Sequence, residues 1–512
     1  MKSRLLTRLF AMIGVFAAIY ICSWPIVFSF NLWILKDRGS FLNLDYLIEQ
    51  HFRLGVDTYF SYGLLPVLIQ HWLFVIVGRG YWPLIGCAII TLILVALFCA
   101  SLLHFLPNES IWFAAILAMS RIINPVNPNL PYSIVELSLL FALLFVLIGR
   151  LDISLAVSVI GCLSVPSLSL IMTVSLIVLI FIEWFTEPVC TIWRLLRALG
   201  PGVLSYFVLV AIIAAQFGWK SVFATATPIE GMSFYRKVNF GSYQALMQFL
   251  HPWRYSGIRY LVYILFTPAG WWVVSTILLA LLAVVAVGRM VVERKLKTRE
   301  EAIALCALIQ VVFVCFAYGA PHQHYLFDPI LVVGVLLGLS MMEKRMLRDI
   351  IISVFVALGV FGQAVLVREV LQAWNEIRFP SATENLYAKA EWVAEWKKIL
   401  DVSARHNLLL LSYSTGVHHY FPTIHSPNVW TLQAGQLLPE DYTRVIQQID
   451  NADVVVLDLT SPTDYVDTDA EVKRHLNLLC LSQSTEYFQI WWRRSMKPAD
   501  LTCIVNPRKS DH

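Results

Sequence analysis

The chain has 512 residues, of which 58% are hydrophobic and only 14% are charged. Ordinary soluble domains carry about 25% charged residues, and a soluble core could not bury this much apolar surface. The composition therefore excludes a soluble enzyme, a disordered protein and a fibrous protein, and it predicts a polytopic membrane protein. The net charge of +4 is too small to indicate nucleic acid as a partner.

Long apolar segments predict where the chain crosses the membrane. A full crossing needs about 20 apolar residues. The first candidate is longer than the apolar core of a signal peptide, and Trp24-Pro25 stands where small residues would precede a cleavage site, so we interpret it as an uncleaved helix. The twelve candidates lie at 9–31, 62–78, 82–105, 110–121, 131–149, 152–165, 168–185, 201–217, 268–288, 302–318, 326–342 and 349–367.

Basic residues predict which parts of the chain face the cytoplasm. Lys2, Arg4 and Arg8 place the N-terminus there, and further basic runs mark cytoplasmic loops at 289–299 and 344–348. We then expect the first loop at 32–61, the aromatic-rich stretch 218–262, residues 319–325 and everything after 381 to lie outside, in contact with the opposite face of the lipid bilayer.

This orientation conflicts with the number of candidate crossings. Eight candidates separate the first outside loop from the cytoplasmic run at 289–299, yet that path needs an odd number of crossings. The short segment 110–121 is one suspect. The other is the pair 152–165 and 168–185, which Pro166 interrupts and which could form two half-helices of one passage. Either solution predicts about eleven crossings in total.

Charged residues divide the chain into two predicted domains. Residues 381–512 contain about 28 of the 72 charged residues (38 basic and 34 acidic), a frequency close to that of soluble domains. We therefore expect a transmembrane domain over 1–380 and an extracytoplasmic domain over 381–512, which is long enough to fold alone.

Apolar spacing in the C-terminal domain predicts alternating helices and strands, and hence a small α/β domain. The expected helices cover 383–400 and Pro439 to Asp450; the expected strands cover 407–412, 453–459, 476–481 and 487–492. No Gly-x-Gly-x-x-Gly motif indicates a nucleotide. Cys480 and Cys503 lie in this domain, where an oxidising compartment would permit a disulfide, and the sequence leaves their pairing open.

The first outside loop contains two carboxylates at informative positions. Asp37 follows the first apolar helix directly, between Lys36 and Arg38, and Asp57 begins a stretch of aromatic residues that ends at Pro66. A carboxylate near lipid is costly unless it is paired or solvated. Asp37 is therefore either an ion-pair partner of its basic neighbours or a functional residue.

Two more groups of polar residues lie in outside segments. His322 and His324 precede Tyr325 at the end of an apolar segment, a spacing that is only weak support for a metal site. Arg254 and Arg259 lie outside, where the positive-inside rule makes arginine uncommon. Guanidinium groups near a bilayer surface suit the bidentate binding of phosphate.

The order of these features resembles the GT-C class of polytopic glycosyltransferases, the group that includes protein O-mannosyltransferases and the aminoarabinose transferase of lipid A. The resemblance rests on an Asp early in the first outside loop, an amphipathic stretch over 41–54, and Asp-x-x-Phe-x-Tyr-Gly-x-x-Pro over 57–66. It also rests on His-x-His-Tyr over 322–325 and on the C-terminal α/β domain.

The resemblance implies a fold, a place in the cell and an activity. The fold is a GT-C-like α-helical membrane domain with an extracytoplasmic α/β domain, in a bacterial inner membrane with the N-terminus in the cytoplasm. The activity is the inverting transfer of a hexose or pentose from a polyprenyl-phosphate sugar donor to a lipid, glycan or protein acceptor outside the cytoplasm.

The same resemblance assigns roles to residues of the site. Asp37 is the expected catalytic base, and Asp57 is the second carboxylate. Many members carry Asp-Glu where this chain has Asp37-Arg38, so no metal ligand is assigned and the participation of a divalent metal is left open. The residues expected to bind the donor phosphate or the substrate are Arg38, Tyr62, Arg254, Arg259, His322, His324 and Tyr325.

Two other classes of membrane protein stay open as alternatives. A ligase or polymerase of surface polysaccharide should depend on arginines and histidines of a large outside loop more than on a carboxylate directly after the first helix. A transporter or flippase of lipid-linked sugars usually has internal repeats and charged residues at mid-membrane. The sequence shows no repeat, and its apolar segments are nearly free of charge.

Overall fold

The structure is a computed structural model that describes most of the chain in seven stretches. Isolated residues are also described between 6 and 29 and between 281 and 309. The stretches are 37–60, 62–105, 130–186, 191–226, 345–433, 436–460 and 470–504.

The described part of the membrane domain consists of helices. Two of them are long and apolar enough by themselves to cross a membrane, at Trp82–Leu102 and Ile192–Phe217. The helices are α1 (Asp37–Glu49), α2 (Leu65–Val77), α3 (Tyr81–Phe105), α4 (Leu130–Ile148), α5 (Leu151–Ser164), α6 (Pro166–Thr186), α7 (Ile192–Phe217), α8 (Trp219–Ala226) and α9 (Arg345–Trp374).

Helices α5 and α6 form an antiparallel hairpin that turns at Val165. Ser169 Oγ donates to the carbonyl of Ser158 at 3.0 Å, and Thr173 Oγ1 donates to Ser158 Oγ at 3.1 Å. In one continuous passage, residues 158 and 169 would lie about 16 Å apart at a rise of 1.5 Å per residue. The suggestion that 152–165 and 168–185 are two halves of one crossing is therefore wrong, because Pro166 begins a new helix that runs back along the previous one.

The neighbouring helices continue the same up-and-down arrangement. Ser154 Oγ donates to the carbonyl of Ala142 and Ser164 Oγ to that of Pro131, both at 2.8 Å, so α4 and α5 are antiparallel. Helix α7 packs on α5 at Gly202, where an added β-carbon would lie 2.6 Å from the side chain of Leu155. The α4–α5 turn therefore shares one end of the bundle with the end of α6 and the start of α7, and the α5–α6 turn lies at the other end.

Helices α1 and α2 lie side by side, and α2 packs on α3, α4, α5 and α7. Gln70 Nε2 donates to the carbonyl of Phe41 at 2.5 Å, and His71 Nδ1 donates to Asp45 Oδ1 at 2.8 Å. With 13 residues, α2 is about 20 Å long, which is shorter than the roughly 30 Å apolar core of a bilayer. Its outward face is apolar, and Val75, Ile76 and Val77 are strongly exposed.

Gly63 fixes the segment before α2 to the α5–α6 turn. Its N–H donates to the carbonyl of Ser164 at 2.8 Å, and a β-carbon on Gly63 would lie 2.0 Å from the carbonyl oxygen of Leu163. Only glycine permits this approach of two backbones. The first outside loop therefore rests on the end of the bundle where α5 meets α6.

The tail domain, which we define as residues 377–504, is an α/β unit after α9. A 3₁₀ turn covers Val417–His419. The other elements are β1 (Ile377–Pro380), β2 (Asn385–Ala388), α10 (Ala390–Ser403), β3 (Leu408–Leu411), β4 (Ile424–His425), α11 (Pro439–Asn451), β5 (Val454–Asp458), α12 (Ala470–Leu478), β6 (Cys480–Ser484) and β7 (Phe488–Trp492).

Five strands of the tail domain form one mixed sheet in the order β4-β3-β5-β7-β6. Strands β4, β3 and β5 are parallel, whereas β7 pairs antiparallel with both β5 and β6. Strands β1 and β2 form a separate antiparallel hairpin. The buried run of β3 is hydrophobic throughout, and that of β5 is hydrophobic up to its last residue, Asp458, as is typical of parallel strands that are covered on both faces.

Helices cover both faces of this sheet. On one face, Leu408 and Leu410 belong to a core with Trp392 and Trp396 of α10, whose rings stack at 4.9 Å. On the other face, Leu409 and Leu411 belong to a core with α11 and α12. The period of two residues along β3 thus divides its side chains between two cores.

Two elements of the tail domain differ from the sequence prediction. Residues 385–388 form strand β2, and the predicted helix over 383–400 begins only at Ala390. Residues 476–478 end helix α12, so the strand expected over 476–481 begins at Cys480. In both places an apolar run is shared by a helix and a strand, and periodicity alone could not divide it.

A disulfide joins Cys480 and Cys503 across the edge strand of the sheet, with 5.3 Å between the Cα atoms. Ile504 N–H donates to the carbonyl of Leu481 beside it at 2.7 Å. The bridge therefore ties the last described residues of the chain to β6.

Candidate functional site

The first turn of α1 packs directly on the tail domain. Gly416 follows β3, and a β-carbon at this position would lie 2.0 Å from the carbonyl oxygen of Gly39. Asp37 begins α1 two residues earlier, so the backbone of the predicted base lies at this contact. The side chains of Asp37 and Arg38 are outside the described part of the structure. We call the surface between residues 39–64 and the tail domain the loop junction.

Asn43 is the central hydrogen-bonding residue of the loop junction. Its Nδ2 donates to Thr415 Oγ1 at 2.8 Å and to the carbonyl of Val429 at 2.9 Å. Thr415 Oγ1 in turn donates to the carbonyl of Trp430 at 2.7 Å. Asn43 and Thr415 are both buried. A buried polar network of this kind fixes the register of two surfaces, since any sliding would leave buried groups without partners.

Trp430 of the tail domain inserts its ring into an aromatic cluster of the first loop. The ring centroids of Phe60 and Tyr62 lie 5.2 and 5.4 Å away, both in edge-to-face geometry. Phe41 and Tyr59 complete the cluster at 6.1 and 6.5 Å. Each such aromatic pair contributes about 0.5–1.5 kcal/mol beyond its buried area. Tyr62, predicted to bind substrate, is thus packed at the loop junction.

Asp57 is held by Arg53 of the same loop. Arg53 Nε and Nη2 donate to its two carboxylate oxygens at 2.8 and 2.7 Å, and the N–H of Arg53 donates at 2.8 Å. The hydrogen bonds from the Arg53 side chain lower the pKa of Asp57. A carboxylate with a lowered pKa is a poor proton acceptor. This geometry suits a role in positioning the loop, and the catalytic role of Asp57 stays a prediction.

Asp441 anchors the same loop to helix α11. Its side chain is fully buried and accepts hydrogen bonds from the N–H groups of Tyr59 at 3.0 Å and Leu438 at 2.8 Å. Arg444 pairs with Asp441, and it also donates to the backbone carbonyl of Asp57. Burial raises the pKa of Asp441, and these donors oppose that shift. The pair therefore connects the loop around Asp57 to the tail domain.

Four ionisable side chains link α1 to α2. Asp45 accepts from His71 Nδ1 at 2.8 Å and from Arg79 Nε at 2.8 Å, and its side chain is only 4% exposed. Arg79 also pairs with Glu49, one helical turn after Asp45. Both carboxylates thus face the end of α2. Arg79, which follows α2, is therefore held against α1, the helix that packs on the tail domain.

Two adjacent histidines of the tail domain, His418 and His419, complete the loop junction; we call them the histidine pair. Their rings lie 4.2 Å apart, and the ring of Tyr46 packs 4.8 Å from that of His418. Burial lowers the pKa of His418 to about 4 and that of His419 to about 3. Both are therefore neutral at pH 7, with His418 Nδ1 donating to the carbonyl of Thr415 at 3.2 Å.

A cleft of about 590 Å³ opens beside the histidine pair and Tyr46. Its described lining is rich in polar groups, because it carries carboxamides and imidazoles and, among the described residues, no acidic or lysine side chain. The Oε1 atom of Gln448 accepts from the N–H of Asn428 at 3.1 Å, which holds one wall in place. The carboxamides are Asn407, Asn428, Gln448 and Asn451.

The structure brings part of the predicted site together. The backbones of Asp37 and Asp57 and the side chain of Tyr62 all lie at the loop junction. The other predicted residues, Arg254, Arg259, His322, His324 and Tyr325, lie outside the described residues. Among the residues that are described, no group of three or more His, Cys, Asp or Glu side chains could hold a metal ion.

Sequence reasoning did not assign several residues that build the loop junction. The sequence shows directly that Asp45 and Glu49 are four residues apart. The partners of Asp45, His71 and Arg79, lie 26 and 34 residues later in the chain. Arg79 interrupts a long apolar region, which was a usable signal. Asp441 and the histidine pair contact residues more than 370 positions earlier, and no local pattern reports such contacts.

Comparison with known proteins adds one similarity. No protein-family profile matches the chain, and no curated protein is found to be similar to it. Among solved structures, it is similar to the crystal structure of ArnT from Cupriavidus metallidurans bound to undecaprenyl phosphate. The match has 12% sequence identity and a TM-score of 0.47, and it covers 96% of this chain and 99% of that chain.

Proposed function

We propose that the protein is a membrane glycosyltransferase that moves a sugar from a polyprenyl-phosphate donor to an acceptor outside the cytoplasm. The observation that carries the proposal is the position of Asp37. It directly follows an apolar helix in the sequence, and its backbone begins the helix that packs on the tail domain. A carboxylate there would lie between the membrane and a folded outer domain, where a lipid-borne donor and a water-borne acceptor can meet.

The topology that we propose follows from α2. Arg79 pairs with Asp45 and Glu49 of α1, and α1 packs on the tail domain, so both ends of α2 lie on the outer side. Segment 62–78 is then the candidate that does not cross. Seven segments remain between 82 and 288, an odd number, and the total is eleven crossings. Arg150, Arg194 and Arg197 fall at the cytoplasmic end of the bundle, as the positive-inside rule requires.

The proposed chemistry is a single displacement. Asp37 accepts the proton of the acceptor hydroxyl while that oxygen bonds to the anomeric carbon of the sugar. The bond from this carbon to the phosphate oxygen breaks, and the polyprenyl phosphate leaves with the electron pair. Attack opposite the leaving group inverts the anomeric centre. Cations beside the leaving phosphate stabilise its charge, a role that we assign to Arg38, Arg254 and Arg259.

Other residues would orient the substrates. Asp57 keeps the loop in place through Arg53 and Arg444 and leaves the proton transfer to Asp37. Tyr62, His322, His324 and Tyr325 are proposed to contact the sugar or its phosphate. The cleft beside the histidine pair offers carboxamides and hydroxyl-binding groups to the acceptor. The hexose or pentose nature of the sugar, and a divalent metal, stay open in this scheme.

The experiment that tests the proposal uses a strain that lacks the gene. Mass spectrometry of its envelope lipids and glycans should show one product lost, and the wild-type gene should restore it. We expect Asp37→Asn to insert normally in the membrane and to restore none of the product. Asp152→Asn, which alters a carboxylate at the opposite end of the bundle, is the matched control. Full restoration by Asp37→Asn would refute the role of Asp37 as the base.

A further inference from the structure

The cleft beside the histidine pair is lined from both sides of the loop junction. Its described lining comes from α1, from β3 and β4, from the C-terminal end of α11 and from the segments that connect these elements. Its volume of about 590 Å³ is within the range of about 300–1,000 Å³ that is typical of small-molecule sites. The chemistry of the lining therefore indicates which class of ligand the cleft can take.

Ser426 places a buried hydroxyl in this lining. The residue follows β4 and is only 8% exposed, and its Oγ has no hydrogen-bond partner among the described residues. An unpaired hydroxyl is costly to bury. Nδ1 of His418 donates to the carbonyl of Thr415, which leaves Nε2 as an acceptor, and this atom also has no partner in the described part of the chain. A ligand in the cleft can supply both partners.

The lining offers no counter-charge to an ion. Among its described residues there is no carboxylate, lysine or arginine side chain, and a charged ligand group that loses its hydration needs an opposite charge. Asn451 and Ala452 line the cleft at the C-terminal end of α11, where the helix dipole is negative and disfavours phosphate. The charge of Arg79 reaches the histidine pair, but Asp45 and Glu49 pair with it. The cleft therefore suits an uncharged ligand.

The remaining groups of the lining match the hydroxyl groups and the ring of a sugar. The carboxamides of Asn428 and Gln448 can both donate and accept, as a hydroxyl can. Tyr46 adds a flat apolar ring, which is held 4.8 Å from the ring of His418. A peptide would usually pair its backbone with the edge of a sheet. The edge strand here is β4, which has only two residues, so a peptide is the less suitable ligand.

The distance from the proposed base indicates which substrate the sugar belongs to. Asp37 and Tyr46 are nine residues apart in α1, so their backbones are separated by about 14 Å at a rise of 1.5 Å per residue. Under the proposed function, the anomeric carbon of the donor lies beside Asp37. A sugar in the cleft is then part of an acceptor that extends well beyond its reacting hydroxyl.

We propose that this cleft binds an uncharged sugar unit of the acceptor, which is therefore an oligosaccharide chain. Ser426, His418 and the carboxamides hold the hydroxyl groups of this unit, and Tyr46 packs on its ring. The assignment of the sugar to the acceptor rests on the proposed function, whereas the binding of an uncharged sugar in the cleft does not.

The test measures glycan retention by the full-length protein in detergent. The probes are uncharged glycans, anionic glycans and peptides, each released from the envelope of the strain that lacks the gene. In that strain the unmodified acceptor should accumulate. Immobilised protein is exposed to each fraction, and the retained material is identified by mass spectrometry. We expect uncharged glycans to be retained in preference to the other two fractions.

Three variants locate the binding. Ser426→Ala removes no hydrogen bond within the described structure, and it should lower retention about fivefold, the loss expected for one hydrogen bond to the ligand. Tyr46→Leu should also lower retention, because the ring is lost. Ser482→Ala is the matched control, since it removes a serine hydroxyl from β6 at the opposite edge of the sheet and should leave retention unchanged. Unchanged melting temperatures would establish that each variant is folded.

Preferential retention of anionic glycans or peptides would overturn the proposal, and so would the absence of retained uncharged glycan. Equal retention by the wild type, Ser426→Ala and Tyr46→Leu would show that the glycan binds elsewhere. Asp37→Asn separates this proposal from the proposed function, because it should abolish transfer and still retain the glycan. If Asp37→Asn restored the product while retention depended on Ser426, the role of Asp37 would fail and the sugar site would stand.

Discussion

The substitution Gly416→Ala tests whether the contact between α1 and the tail domain sets the geometry of the proposed site. Its β-carbon would lie 2.0 Å from the Gly39 carbonyl oxygen, 2.7 Å from the Gly39 carbonyl carbon and 3.2 Å from the Gly39 Cα. The φ of Gly416 is −92°, which alanine adopts without strain, so steric overlap is the whole perturbation. Restoring a normal contact of about 3.4 Å requires the two backbones to separate by about 1.4 Å.

The expected consequence is a large loss of activity with a small loss of stability. Overpacking of this kind costs about 1–3 kcal/mol, which a protein held by the Asn43 network and the Trp430 cluster should survive. A displacement of about 1 Å at a catalytic group can reduce the rate about 100-fold. Because Asp37 lies two residues before Gly39, we expect a reduction of that order.

The assay is sugar transfer by the purified protein in proteoliposomes, combined with a thermal melt. Gly200→Ala is the matched control, since a β-carbon at Gly200 would meet no atom within 4 Å. This variant should keep wild-type activity. If Gly416→Ala melted normally and also transferred sugar at the wild-type rate, the contact would not determine the position of the base, and the reasoning would be refuted.

Three further predictions concern topology, pH and the disulfide. A cysteine at Gly80, in a chain without other reactive thiols, should react with a membrane-impermeant reagent from the outer side only; labelling from the cytoplasm would mean that α2 crosses. Each histidine of the pair has a lowered pKa in the folded protein, so the unfolded state binds more protons below pH 6.5. The free energy of unfolding should therefore fall as the pH is lowered from 6.5 to 4. The loss at pH 5 is at most about 2 kcal/mol for each histidine, and replacing both with Gln should flatten a plot of melting temperature against pH. Peptide mass spectrometry without reduction should find Cys480 linked to Cys503, and two free thiols would contradict the bridge, whose removal should cost about 3 kcal/mol.

The sequence predicts the architecture of this protein better than its interfaces. Apolar runs locate helices α3 to α7 because hydrophobic burial in a bilayer depends on length and composition, which are local properties. Segment 62–78 has the same composition as a crossing helix, and our proposal that it does not cross rests only on its contacts with α1. Hydropathy cannot distinguish the two cases, because both present apolar side chains to lipid.

Some residues of the candidate site could be predicted from the local sequence, and others could not. The family resemblance assigned Asp37, Asp57 and Tyr62 to the site, and because all three lie in one short stretch of sequence, local order is enough to group them. The binding of Asp57 by Arg53 at four-residue spacing is also local. Trp430, Asp441 and the histidine pair were not grouped with this loop, since their contacts depend on the folded position of the tail domain.

The insertion of Trp430 into the first loop has a consequence for biogenesis. The hydrogen bond beside it joins residues 372 positions apart, so the first loop is synthesised long before its partner. At a typical rate of 5–20 residues per second, the interval is about 20–70 s. During that time Phe41, Tyr59, Phe60 and Tyr62 have no tail domain to pack against. Under the proposed topology, the loop junction is therefore assembled last, when the tail domain reaches the far side of the membrane, and we expect inserted but incomplete chains to be inactive.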